Sequence, residues 1–337
     1  ETTFDGVGRI DTTSGTISSG GSMKGSIYAM RMYGVALTAD EARYNAAVDV
    51  VRFKGEDPAT AFDGCTLARW NSTADVLEVK IQVTTTGSGK FLLNGGAPVD
   101  SIDQWIALGE DVSIVYTATG EQPMWMDLPA YAAREEGDGC SASFTVSGPV
   151  TARVAPAKIV YVDDTASGDG SAWNATMSWN GALDLAAAAT QPVAIWVKGP
   201  VELTVTPAAK TFSVPVAFRG GFAGGETSLA ARLSGARSVV SGKGSYNHLN
   251  FANDERVTFD GISLERMGGT ALTRTQSNGS LYMTNSAIRG LTSATTHGAT
   301  LNGATGARLR LVNSEIEGCG LGGSIYAQTG LGMSAVG

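Results

Sequence analysis

Near the end of the chain, three segments repeat one pattern of apolar and polar positions. Val257–Leu264, Leu281–Ile288 and Leu309–Ile316 align without a gap, with apolar residues at the first, third and eighth places. Gly261, Asn285 and Asn313 share the fifth place, which suits a turn because Gly and Asn tolerate left-handed backbone angles. Alternation within each segment predicts a strand, and the recurrence predicts one strand per turn of a stack in which each turn buries its apolar side chains against its neighbours. Val257, Leu281 and Leu309 are expected in one interior column, and Phe259, Met283 and Leu311 in the next. The outward places hold Thr258, Asp260, Tyr282, Thr284, Arg310 and Val312, a mixed set without a charge theme.

Upstream, the pattern changes twice. Gly25–Tyr33 reads as a strand, and Thr38-Ala-Asp-Glu41 has the spacing of a capping box opening a helix that ends near Phe53. Val76–Thr86 alternates as a strand, Gly87-Ser-Gly89 as a turn, and Phe91–Leu93, Gly109–Tyr116 and Phe144–Val154 as further β segments. The stretch 124–139, with Arg134-Glu-Glu136, reads as a long loop. From Lys158 onward, strands at 158–164, 193–199 and 214–222 surround a helix at Trp179–Ala189, which is expected to cover the first edge of the stack.

Composition narrows the functional classes. The chain has 337 residues, is 43% hydrophobic and contains 44 Gly, well above the usual ~7% but without the period of collagen. Its net charge is −8, and Lys and Arg never form a run, which argues against nucleic-acid or anionic-membrane binding. No run of 18 apolar residues predicts membrane insertion, and the chain reads as a fragment of a longer protein, cut at both ends. Of the three cysteines, Cys65 and Cys140 flank one β-rich segment. They are a candidate disulfide or, equally, two buried thiols; Cys319 reads as a buried residue of the stack.

Three resemblances follow from these motifs. The strand, the Arg31-x-Tyr33…Ala36-Leu37-Thr38…Glu41 spacing and the short helix are similar to the C-terminus of laminin-G-like, concanavalin-A-like jelly rolls of bacterial surface proteins. Trp105, Gly109, Val112, Ile114 and Trp125 occupy places matching a small all-β repeat module of such proteins, which implies a spacer or stalk. The segment Tyr161-Val-Asp163, the Gly loop around Asp169, Trp173 and the run Gly220-Gly-Phe-Ala-Gly-Gly-Glu-Thr-Ser-Leu229 resembles the start of a pectin-lyase-like right-handed parallel β-helix. The expected fold class is therefore all-β: a jelly-roll remnant at 1–54, a small all-β module at 55–156 and the N-terminal part of a right-handed parallel β-helix at 157–337.

Candidate chemistry is sparse. Asp163, Asp164 and Asp169 flank a Gly loop and are candidates for Ca²⁺ through their oxygens, against the alternative of a solvated turn. No other cofactor is expected. Trp125, Trp173, Trp179 and Tyr282 offer aromatic faces of the kind that stack on sugar rings, and Arg266 is a further ligand-binding candidate, although Trp also serves cores and caps. Asp254 to Arg256 reads as a turn, and His248 and His297 stand alone. These features predict an extracellular or cell-surface adhesin or glycan-binding scaffold without catalysis, whose partner is an extracellular glycan or a host or cell-surface ligand. The rival enzyme reading is a polysaccharide lyase or glycoside hydrolase with its active face on the turns of the stack, and the third is a structural passenger or stalk.

Overall fold

The computed structural model describes residues 37–129, 132–165, 168–247, 249–253, 255–266, 268–275, 279–290, 299–301, 308–317, 325–327 and 332–336. The strand read at Gly25–Tyr33, His248, Asp254, His297 and Cys319 lie outside them.

The helix Ala39–Lys54 begins as its sequence requires. The Thr38 hydroxyl accepts the Glu41 N–H at 3.2 Å, the Glu41 carboxylate accepts the Thr38 N–H at 2.8 Å, and Gly55 closes the helix at φ 68°. Tyr44, Ala47, Val48 and Val51 pack into the core of the residues that follow.

That core lies between two sheets. One contains Ala68–Asn71, Val76–Thr85, Ile102–Ala107, Val150–Pro156 and Pro123–Met126; the other contains Lys90–Leu93, Asp111–Thr117, Gly139–Thr145 and Ala133–Glu136. Alternate residues point inward, so that Val79, Ile81 and Val83 of the first sheet meet Ile114, Tyr116 and Phe144 of the second. The Gly87-Ser-Gly89 turn is fixed by the Tyr116 hydroxyl, which accepts the Gly89 N–H at 2.8 Å. A Cβ at Gly89 would lie 2.3 Å from the Thr117 carbonyl oxygen, which explains the glycine. The stretch read as a long loop instead forms two strands, Pro123–Met126 and Ala133–Glu136, because the latter pairs antiparallel with Gly139–Thr145.

From Lys158 the architecture is three parallel sheets that the chain visits in rotation. The first sheet orders Lys158–Val162, Val193–Lys198, Val216–Phe222, Val257–Asp260, Leu281–Thr284, Arg308–Val312 and Gly332–Val336. The second runs from Val201–Glu202 to Glu315–Glu317, and the third from Lys210–Phe212 to Ile325–Ala327. The expected registers hold: Val257, Leu281 and Leu309 are successive partners, as are Phe259, Met283 and Leu311. The second column extends upstream through Phe218, whose ring stacks on Phe259 at 4.6 Å. Gly261, Asn285 and Asn313 all adopt positive φ, at 69°, 47° and 45°, and Asn313 donates to the Asn285 side-chain oxygen at 2.6 Å. One repeated turn conformation thus brings the two asparagine side chains into contact across neighbouring turns of the stack. The helix Trp179–Ala187, capped by Ser178, packs Trp179, Ala182, Leu183 and Ala186 into the interior of the stack near Lys158–Val162 and Lys210–Phe212.

Candidate functional site

The two β regions meet on the outer face of the first sheet. In its upstream half the outward Ala194, Trp196 and Phe222 form a buried apolar cluster with Leu229 of the following loop, and Tyr161 and Trp173 pack on it. Three polar contacts weld this half to the preceding module. The Trp196 indole donates to the Gln122 side-chain oxygen at 2.9 Å. The Asp138 carboxylate accepts the backbone N–H groups of Leu229 and Ala230 at 2.7 and 3.1 Å. The Gly-rich run ending in Leu229 is therefore docking chemistry: Glu226 accepts the Ala223 and Gly224 N–H groups at 2.6 and 2.8 Å, holding the loop.

Downstream the same face opens into a pocket of about 300 Å³. Its floor is the outward rows of the first sheet: Thr258, Tyr282 and Arg310 in one, and Arg219, Asp260, Thr284 and Val312 in the other. Its wall is Arg134, Glu135 and Glu136 from the module's hairpin, with Arg256 at the start of a floor strand. Asp260 is held by Arg219 at 2.8 Å and Arg232 at 3.0 Å. Glu136 pairs with Arg256, lies 3.8 Å from Arg219, and accepts the Trp125 N–H at 3.0 Å. The side chains of Arg219, Asp260, Glu136 and Arg256 are all less than a tenth exposed. Arg256 is thus no simple turn residue: its chain is buried against the Glu136 carboxylate. Two guanidinium groups lie beside the Tyr282 ring, those of Arg256 and Arg134 being 5.9 and 6.0 Å from its centre. Burial, and then the neighbouring Arg256 charge, hold the Arg134 guanidinium below its ordinary range.

The residues singled out from sequence are dispersed. Trp179 is a core residue packed against Phe218, and Trp173 donates its indole N–H to the Glu226 carbonyl at 3.0 Å within the aromatic cluster. Trp125 is likewise buried in the module's core. Trp125 and Trp179 are fully enclosed by core side chains, while Trp173 is half-buried against the aromatic cluster. Arg266 is exposed at a positive-φ turn outside the pocket lining, and only Tyr282 of the set lines the pocket. The three aspartates do not converge. Asp163 accepts the hydroxyls of Thr165 and Thr176, both at 2.6 Å, Asp164 accepts the Glu202 N–H at 3.0 Å, and Asp169 accepts the Ser171 N–H at 3.0 Å. Among the described residues no cluster of His, Cys, Asp and Glu is placed to hold a metal ion, and these three carboxylates make turn and strand-end bonds. Of the two readings of Cys65 and Cys140, the structure has the buried thiols. Cys65 and Cys140 are buried free thiols of one core, and burial raises the Cys140 thiol far above its ordinary range, which opposes the thiolate that exchange chemistry needs.

Sequence reading missed the pocket because no single segment carries it. One signal was available: Val216-Ala-Phe-Arg-Gly220 fits the first five places of the repeated pattern, which would have set Arg219 beside Asp260. Nothing in the sequence announces that Glu136 meets Arg256. Among the described residues, no helix is long and apolar enough to cross a membrane. No protein-family model, curated protein or solved structure matches the chain.

Proposed function

We propose that this chain is a non-catalytic, glycan-binding scaffold of a bacterial surface or secreted protein, with residues 157–337 forming a right-handed parallel β-helix that serves as a rigid rod. The rotation of the chain through three parallel sheets supports the rod, and connections between parallel strands are right-handed in about 98% of cases. The observation that carries the binding reading is the composite pocket: one aromatic ring, Tyr282, among hydrogen-bonding side chains on the outward face of a stacked sheet. The arrangement favours binding over catalysis because Asp260 and Glu136 are each engaged by arginines. A general acid or base needs a lone pair or proton that reaches the substrate. The lyase or hydrolase reading draws its support from the same carboxylates and guanidiniums sharing one pocket.

A glycan array probed with the whole chain and with Tyr282→Ala tests the proposal. Binding that Tyr282→Ala removes is the expected outcome, and an array with no bound glycan overturns it. Incubation with pectins, alginates, glycosaminoglycans and mucin glycans separates the enzyme reading: product release that disappears in Asp260→Asn establishes the enzyme.

A further inference from the structure

Building on the glycan-binding reading, we infer that the composite pocket selects a sugar bearing an anionic group, a carboxylate or a sulfate, clasped between the module's hairpin and the outer face of the stack. Four arginines, Arg134, Arg219, Arg256 and Arg310, face three carboxylates, Glu135, Glu136 and Asp260, in a chain whose overall charge is −8. The local balance is therefore inverted relative to the molecule.

Hydrogen bonding is also incomplete on the cationic side only. Arg219 donates through Nη1 to Asp260, yet its Nε is buried without a partner. Arg256 donates through Nη2 to Glu136 and through Nε to the Thr258 hydroxyl at 3.3 Å, leaving Nη1 buried and unsatisfied. Arg134 gives Nη2 to the carbonyls of Leu128 and Pro129 at 3.3 and 3.2 Å, and its Nε is buried without an acceptor. No carboxylate lies within ion-pair distance of Arg134 or Arg310 among the described residues.

Buried N–H groups without acceptors are unfavourable, and two guanidiniums beside one tyrosine ring repel each other. An anion seated in the pocket offsets the excess guanidinium charge of its lining and screens the Arg134–Arg256 repulsion. Guanidinium groups suit carboxylate and sulfate oxygens because their N–H donors lie in a fixed plane. A neutral sugar offers hydroxyls but no charge to offset.

The test uses the full chain in titration calorimetry with size-matched oligosaccharides in neutral, uronic-acid and sulfated forms, at low and high salt. Acidic sugars are expected to bind roughly tenfold or more tighter than neutral ones, with the advantage shrinking as salt rises. Arg134→Gln should remove that advantage, and Arg310→Gln, at a partly exposed position, gives the same readout should the first variant misfold. The uronic-acid and sulfated arms decide between carboxylate and sulfate. Equal binding of neutral and acidic sugars, abolished by Tyr282→Ala, overturns the anion selection and leaves the glycan reading intact. Absence of binding by every form overturns both. Inorganic sulfate competing as tightly as the best acidic sugar overturns a sugar-borne anion.

Discussion

The outer face of the first sheet has one backbone and two fates. Upstream, Trp196 occupies the register place that Arg219, Asp260, Thr284 and Val312 occupy in succeeding strands. Ala194 likewise precedes Ala217, Thr258, Tyr282 and Arg310. Where the outward residues are apolar, the face is closed by aromatic packing, including a Trp196–Phe222 stack with centres 4.5 Å apart. Where they turn polar, the same module no longer seals the surface and a pocket remains. The inner face does not change in this way: Val216, Phe218, Val257, Phe259, Leu281 and Met283 are all buried. Inward side chains hold the stack together, and outward ones decide what docks on it.

The strongest way to break this contrast is to unseal the closed half. Trp196→Ala removes a fully buried indole and should cost about 3–5 kcal/mol in denaturant unfolding. A loss below ~1 kcal/mol would mean that the aromatic cluster contributes little to holding the two β regions together. Next comes the open half. Glu136→Gln leaves Arg256 and Arg219 short of a buried counter-charge and should cost about 2 kcal/mol, less than the 3–5 typical of an enclosed pair because the pocket admits water. Trp196→Phe keeps an aromatic ring, trims part of the indole volume and orphans the Gln122 oxygen, for an expected ~1–2 kcal/mol. Tyr282→Ala, on the pocket floor, should change stability by ~1 kcal/mol or less while abolishing glycan binding in calorimetry. A large stability loss there would make the pocket a structural joint.

The smallest effect concerns Glu255, beside the pocket. Burial first, and then the Asp127 charge, raise its carboxyl above the ordinary range. A raised folded-state value means that the protonated form is the favoured one, so its contribution to stability is fully present below the unfolded value and is lost as pH rises through the folded value. Glu255→Gln should therefore gain a little stability at neutral pH, ~0.5 kcal/mol or less because the group is partly exposed and screened, and nothing near pH 4. Melts of both proteins across that range check the sign, and a variant that is less stable at neutral pH contradicts it.

Much of this architecture was legible without coordinates. The repeated apolar places fixed the columns through Val257 and Phe259, the Gly/Asn place fixed the turns, and Thr38 with Glu41 fixed a helix start. Each of these is written in local spacing, since alternation and capping act over a few residues. The strand at Ala133–Glu136 was not legible, because four residues rich in charge become a strand only when Gly139–Thr145 pairs with them. Nor could spacing tell that Trp179 and Trp125 turn into cores while Tyr282 faces a cavity, since an aromatic ring satisfies either environment.

The sequence by itself determined the β character, the repeat register and the turn chemistry, all of which follow from neighbours along the chain or one repeat away. Only the tertiary structure decided the pocket. Glu136 and Arg256 are separated by 120 residues, and their pairing exists because the module's hairpin settles on the outward face of a stack whose own order says nothing about what will cover it.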